Sequence, residues 1–439
     1  MNLDKLKSKI KEDKDLLQKI IFTGTTRGIS ALGTFVFNFS LARFLGVKGF
    51  GDFMLAYSII VGLGYLIRYG SGTAIVRFGS VLFEKGQIAE LKLMKQKVFK
   101  DSLYISLIIV TVFCLVSCFL AEEIYKDRSL TLMLMIFGVS LPFYSYLTIQ
   151  SSYLKAFKRP ELAPFFEVGL SAFITGSFVA LLAFMGFQMD VTIAAFCFFI
   201  SNIIIYFCGR CFLNKVLIEE DVNSSNKSNV KFSVSEYNKT RFDYFTTQIT
   251  TYLFKFSPTI ILGFFSSSDD VGLYSLANST AFVISFILWI FSTVYSPHFS
   301  ILYKEGNIEK LSKLLKKSII YMSCIAVPVF FIIVIFPDYI LSIFGKGYSE
   351  AKAGLIIMAC GQLFNVLTGP IYALLNMTGH QRELRSVVLG TAIVSVIISF
   401  VLIPYLGYLG AVISTSLGLI LQNSFCFFHL KRTLNIKLI

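Results

Sequence analysis

The chain has 439 residues, of which 55% are apolar and only 15% charged, with a mean hydropathy of +0.72. A soluble domain carries about 25% charged residues, so this composition excludes a water-soluble fold. The formal net charge of +14 does not point to nucleic acid, because the basic residues sit in segments between apolar runs rather than on one face of a soluble domain.

In chain order, Met1–Lys19 is charged and helical in pattern, and the apolar run after it has no small-residue cleavage site, so it is expected to stay as a span. Apolar runs of about 20 residues are long enough to cross a bilayer as helices. They predict twelve spans, near 20–44, 51–76, 100–121, 129–154, 162–186, 190–213, 242–265, 273–299, 318–336, 351–377, 384–405 and 408–430. The basic segments 84–100 and 304–317 read as amphipathic helices lying on a leaflet. Pro142, Pro258, Pro328 and Pro370 fall inside spans and are expected to bend them. Cys208-Gly-Arg-Cys211 has redox spacing, yet at the end of a span it reads as packing. No cysteine–histidine set has metal-ligand spacing, and no G-x-x-x-x-G-K-[ST] occurs, so neither a metal, a cofactor nor an ATP site is expected.

Thirty-one of the 40 Lys and Arg fall in alternate segments on one side, beginning with the N-terminal one, and five fall on the other. The positive-inside bias therefore places both termini in the cytoplasm. An internal repeat divides the chain. Gly51-Asp52-Phe53-Met54 aligns with Gly272-Leu273-Tyr274-Ser275 at an offset of 221, and Gly86-Gln87-Ile88 with Gly306-Asn307-Ile308 at 220. Lys158-Arg159-Pro160-Glu161-Leu162 aligns with His380-Gln381-Arg382-Glu383-Leu384 at 222. The fold class is thus an all-α polytopic membrane protein of two parallel six-helix lobes, 1–217 and 237–439, joined by a polar linker over 218–236. Two such lobes around a midplane cavity make a transporter rather than an enzyme, with no catalytic constellation.

Charges inside spans are costly and mark function. Arg27 and Arg68 lie at similar depth on adjacent spans and form a candidate fork for phosphate, with Lys255 adding charge from the other lobe. Two readings stay open for each arginine: Arg68 snorkels or faces the cavity, and Arg27 meets substrate or pairs with Glu167. Asp52, Glu167 and Asp243, near span ends, are candidates for coupling to an H⁺ or Na⁺ gradient or for gating.

Leu45-Gly46-Val47-Lys48-Gly49-Phe50-Gly51-Asp52-Phe53 resembles the G-x-x-x-F/Y-G-x-F signature of the Wzx-type polysaccharide-transport flippases. Asp270-Val271-Gly272-Leu273-Tyr274-Ser275-Leu276-Ala277 is similar to their V-G-x-Y-x-x-A, and Phe344-Gly345-Lys346-Gly347-Tyr348 and Ile403-Pro404-Tyr405-Leu406-Gly407 to their second half. The resemblance implies the fold of multidrug-and-toxin exporters and the export of undecaprenyl-diphosphate-linked oligosaccharides for O-antigen or capsule. It implies a bacterial inner-membrane location, membrane lipid and the polyprenyl-linked glycan as partners, and a polysaccharide polymerase as downstream machinery. The alternatives on these residues are an ion-coupled drug or cation exporter of the same fold, which would want a carboxylate where Arg27 stands, and a membrane glycan polymerase or ligase, which would want a large outer loop.

Overall fold

The computed structural model describes residues 3–123, 127–159, 161–223 and 232–434, and they are helical almost throughout, with no strand among them. In hydrocarbon each unpaired backbone group costs several kcal/mol, so a spanning chain must satisfy its amides within helices. The helices are α1 (Leu3–Arg68), α2 (Ser71–Glu84), α3 (Ile88–Glu123), α4 (Thr131–Ala156), α5 (Val168–Phe184), α6 (Val191–Asn223) and α7 (Val234–Phe265). They continue as α8 (Ser268–Lys304), α9 (Ile308–Ile335), α10 (Pro337–Phe344), α11 (Lys352–Thr368), α12 (Ile371–Met377), α13 (Gln381–Leu406) and α14 (Tyr408–Leu434).

Among the described residues, nine helices are long and apolar enough to cross a membrane. One of them, Thr25–Arg68, bends at Gly46 (φ 72°) and crosses twice. With the shorter apolar helix α5, and with α7, which is long but not among those nine, the helices correspond to the twelve predicted spans. Helices α1 to α6 surround one another, as do α7 to α14, and the two groups meet where α1 touches α7, α8 and α10 and where α2 touches α7.

Several expectations need correction. The segments 84–100 and 304–317 are not separate surface helices, because α3 and α9 run unbroken from Ile88 and Ile308 into their spans. Only at Pro370 does an intraspan proline coincide with a break, where Gly369 (φ 85°) ends α11 before α12 begins; α4, α7 and α9 stay helical through Pro142, Pro258 and Pro328. Span two instead breaks at Tyr69 and Gly70, both with positive φ. Residues 224–231 of the predicted linker and Pro160 of the third repeat patch lie outside the described residues.

The repeat is written into the backbone. Gly86 (φ 66°) and Gly306 (φ 69°) close matching turns, in which the Gln87 amide donates to the Leu82 carbonyl and the Asn307 amide to the Leu302 carbonyl. The third patch repeats one residue differently from the sequence alignment. Lys158 (φ 57°) pairs with Gly379 (φ 86°) at an offset of 221, since Arg159 N–H reaches Leu154 and His380 N–H reaches Leu375.

The lobes cross at the repeat's own glycines. A Cβ on Gly51 would stand 1.8 Å from the Ser268 carbonyl oxygen, and a Cβ on Gly272 would stand 2.2 Å from that of Val47. Val47 is four residues before Gly51 and Ser268 four before Gly272, so each contact is the image of the other. This reciprocity is what a two-fold relation between lobes produces, and it explains why both signatures carry glycine.

Candidate functional site

Between the lobes lies a cavity of about 950 Å³, lined mainly by α1 and α8, with residues of α2, α4, α5, α7 and α10 and of the segment before α5. Its volume suits a sizeable ligand, since binding sites run from about 300 to 1,000 Å³. At the face opposite the chain termini it is shut by the glycine crossing, by Ser268 donating to the Asp52 carboxylate, and by the Tyr348 hydroxyl donating to the Ala42 carbonyl at 3.2 Å.

The two seams between lobes differ. Along one, the second half of α1 touches α7 over its length: Leu55 fills the space beside Gly263, and the Tyr252 hydroxyl crosses Gly62 to donate to the Ser58 carbonyl at 3.0 Å. Further along, Gly70 meets the Arg241 carbonyl, where a Cβ would stand 1.9 Å away. Along the other seam the first half of α1 and α8 face each other across the cavity, with Leu32, Phe35, Phe282 and Val283 exposed between them.

Arg68 is only 5% exposed and opens into this cavity. Its Nη1 donates to Thr148 Oγ1 at 3.3 Å, and its guanidinium sits 4.5 Å over the Tyr65 ring. A guanidinium carries five donors in a fixed fork, more than Thr148 can take, so Arg68 can receive an anion from the cavity.

Arg27 reaches across the seam: its Nη1 donates to Thr293 Oγ1 at 2.9 Å, and it lies 4.8 Å over the ring of Trp289. Counted from the Gly46 bend at 1.5 Å per residue, Arg27 and Arg68 are about 29 and 33 Å along their helices, hence at similar depth. Glu167 lines the cavity near Arg27, but its carboxylate is held by Lys155 and by Ser151, whose hydroxyl donates at 2.9 Å.

Lys255 lies two helical turns beyond Gln248 on α7 and is exposed, but unlike Gln248 it does not line the cavity. It is set deeper than the two arginines rather than beside them. Asp52 is buried at the closed end, against the start of α8, away from the cavity. Asp243 is exposed near the beginning of α7 and does not line the cavity. The structure therefore places Arg68 and Glu167 in the wall of one cavity, leaves Arg27 outside that wall against Thr293 and Trp289, and sets Asp52 apart as an interlobe contact.

Sequence reasoning missed Arg241, Asn38, Gln248 and Trp289. Arg241 counts as a loop cation by sequence, yet it is buried and ion-paired with Asp101 at 2.6 Å. Its signal is the polar run Thr246-Thr247-Gln248 that follows, too polar for a lipid-facing helix. Among the described residues no group of His, Cys, Asp or Glu could hold a metal ion, and Cys208 and Cys211 are free thiols.

The family model described as "Polysaccharide biosynthesis protein" matches residues 16–303, well over half of the chain. The chain belongs to the polysaccharide biosynthesis protein family. A second model, MatE, matches residues 244–405, within the second lobe of this polysaccharide biosynthesis protein. Among curated proteins it is 26% identical over 219 residues to a probable low-salt glycan biosynthesis flippase, Agl15, of Haloferax volcanii, covering 49% of this chain and 45% of that one. It is also 26% identical over 177 residues to the membrane protein MJ1068 of Methanocaldococcus jannaschii, covering 40% and 35%. The matches thus span less than half the length of these relatives.

Solved structures agree on the fold of this family member. The lipid II flippase MurJ in an inward closed conformation superposes with a TM-score of 0.67 at 15% identity, over 94% of this chain and 87% of that one. An inward-facing multidrug-resistance MATE transporter of the MOP superfamily gives 0.66 at 15% identity, over 92% and 94%. At such identities the likeness is one of architecture alone.

Proposed function

We propose that the chain is a flippase that carries undecaprenyl-diphosphate-linked oligosaccharide units from the cytoplasmic to the outer leaflet for O-antigen or capsule-type polysaccharides. The observation that carries this reading is Arg68, a buried guanidinium opening into an interlobe cavity with Arg27 at the same depth. A bare diphosphate is far costlier to move through hydrocarbon than its sugars, and charge-assisted contacts offset that cost. Membership of the polysaccharide biosynthesis family, and a glycan biosynthesis flippase among its relatives, support the same substrate class. The seam between α1 and α8, with apolar side chains exposed on both edges, lets the polyprenyl tail remain in lipid while the head occupies the cavity. A cation exporter is disfavoured because the Arg68 guanidinium in the cavity wall would repel its cargo.

In this reading the protein sits in a bacterial inner membrane with both termini cytoplasmic, and an H⁺ or Na⁺ gradient supplies the bias. Asp52 acts as a gate contact, Glu167 tunes Arg27, Lys255 adds charge deeper in the path, and a polymerase consumes the delivered unit. The test is glycan accounting in a strain lacking the gene, complemented with wild type, Arg68→Gln or Arg27→Gln. Deletion should empty the surface of glycan while the lipid-linked unit accumulates. Losing a charge-assisted contact costs about 1.5–3 kcal/mol, so each variant should restore a tenth of the wild-type flux or less. Unchanged surface glycan with new sensitivity to organic cations would overturn the reading.

A further inference from the structure

Helix α4 has a second face. Tyr144 and Thr148 line the cavity, and Tyr146, two residues from each and so about 200° round the helix, points the other way. There its ring packs edge-on against Phe99 of α3, with centres 5.3 Å apart, and against Tyr206 of α6 at 5.5 Å. Helices α3 and α6 make little contact with each other, so these rings floor a crevice between them. Neither helix lines the cavity, and the crevice is separate from it.

Two cations head this crevice at the end of the molecule that carries the termini. Lys95 of α3 donates from Nζ to Asn214 Oδ1 of α6 at 2.7 Å. Arg210, one turn before Asn214, donates from Nη1 to the Tyr206 hydroxyl at 3.2 Å. It stands near Tyr146, and close enough to Lys95 for the two charges to repel. Among the described residues neither cation has a carboxylate within ion-pair distance. An ammonium has three donors and a guanidinium five, and Asn214 and Tyr206 take one each. The repeat shows that the fold itself does not require a cation here. At the offset of 220 that matches Ile88 with Ile308, Leu91 falls on Leu311 and Lys95 on Leu315. Leu91, Leu311 and Leu315 are all fully buried, whereas Lys95 is only half-buried. Lobe two fills the position with core, and lobe one sets a charge there against a like charge.

Like charges held together without a counter-charge are relieved by an anion between them, and basic pockets between spans on the cytoplasmic side suit anionic lipid headgroups. Apolar surface for the chains continues inward. Phe207, two turns deeper than Asn214 on the same face of α6, is exposed, as are Leu103 and Leu107 further along α3. We propose that Lys95 and Arg210 bind the phosphate of an anionic phospholipid in the termini-side leaflet, with its chains lying along Phe207 and Leu103. The ligand is a resident lipid rather than cargo. It sits against the helix that also carries Thr148, the partner of Arg68, so its headgroup braces the back of the cavity wall.

Native mass spectrometry of the full chain, released from a neutral detergent, counts the lipids it retains. The chain is titrated with phosphatidylglycerol and with zwitterionic phosphatidylethanolamine, then challenged with glycerol 1-phosphate and with farnesyl diphosphate. Phosphatidylglycerol should bind about tenfold more tightly than phosphatidylethanolamine. Lys95→Leu and Arg210→Gln should each erase that preference. The first installs the residue that lobe two carries at the matching position, and Arg210 is exposed, so both variants should keep the fold and elute as the wild type does. Lys100→Gln, about 140° round α3 from Lys95, should keep the preference. Equal binding of the two phospholipids overturns the site, as does a preference that survives both substitutions or one that Lys100→Gln also erases. Displacement of phosphatidylglycerol by glycerol 1-phosphate at equal concentration would mean a free-phosphate site. Displacement by farnesyl diphosphate would make the crevice a docking post for cargo, and either result overturns the resident lipid.

Discussion

Arg241 makes several contacts at once. It pairs with Asp101 of α3, donates from Nε to the Tyr69 carbonyl at 3.2 Å, and lies 5.1 Å over the Tyr69 ring. Those contacts hold the break in span two, where Tyr69 adopts φ 42°, a conformation that a bulky residue keeps only when its surroundings impose it. Arg241→Ala should therefore destabilise the protein by about 1–3 kcal/mol, since it leaves Asp101 to Lys97 alone and frees the Tyr69 carbonyl. Arg241→Lys should recover part of this, because an ammonium can meet Asp101 but lacks the planar fork. Denaturant unfolding in detergent measures both, and equal loss in the two variants would show that charge is irrelevant to the clamp. At this scale the sequence is legible only where a residue breaks a pattern. Arg27 and Arg68 stand out because charge inside a span is rare. Asn38 and Gln248 do not, because one amide on an amphipathic helix looks like any other until its partners are known. Arg241 is hidden by its neighbours in a basic stretch.

Helices were legible wherever an apolar run was long. Every one of the twelve predicted spans contains helix, and the boundaries fail where the chain bends without losing its hydrogen bonds, as at Gly46. The repeat was also legible, since backbone contact admits glycine alone at Gly51 and Gly272. Its third patch was misaligned by one residue because lobe one carries the positive φ on Lys158, a residue that gives no hint of it, where lobe two uses Gly379. The break at Tyr69 was invisible for a like reason. The glycine crossing carries its own prediction. Gly51→Ala and Gly272→Ala must each drive α1 and α8 apart, and overpacking of this kind costs about 1–3 kcal/mol or more. Because both contacts lie in one crossing, the first substitution creates room for the second, and the double variant should cost less than the sum of the singles. Strict additivity in unfolding measurements would mean that the two glycines do not share a contact.

The molecule as a whole is asymmetric in spite of its repeat. Helix α1 stands to α8 as α7 stands to the second half of α1, yet one of these seams is packed and the other faces a cavity. A protein built from two similar lobes can exchange which end is open by rocking them about the contact they share, and the glycine crossing is that contact at the closed end. Asn38, in the cavity wall, should then be reachable from the face that carries the termini and from that face alone. In a cysteine-free background, a single Asn38→Cys should react with a membrane-impermeant maleimide applied to the termini side of oriented vesicles, and not from the other. Adding Ser268→Ala removes the hydroxyl that ties α8 to Asp52 and loosens the closed end. That should raise labelling from the opposite side and lower it from the termini side, because one cavity cannot be open to both faces. If labelling rose on one side with no fall on the other, the lobes would be separating rather than rocking, and the crossing would be a leak point instead of a pivot.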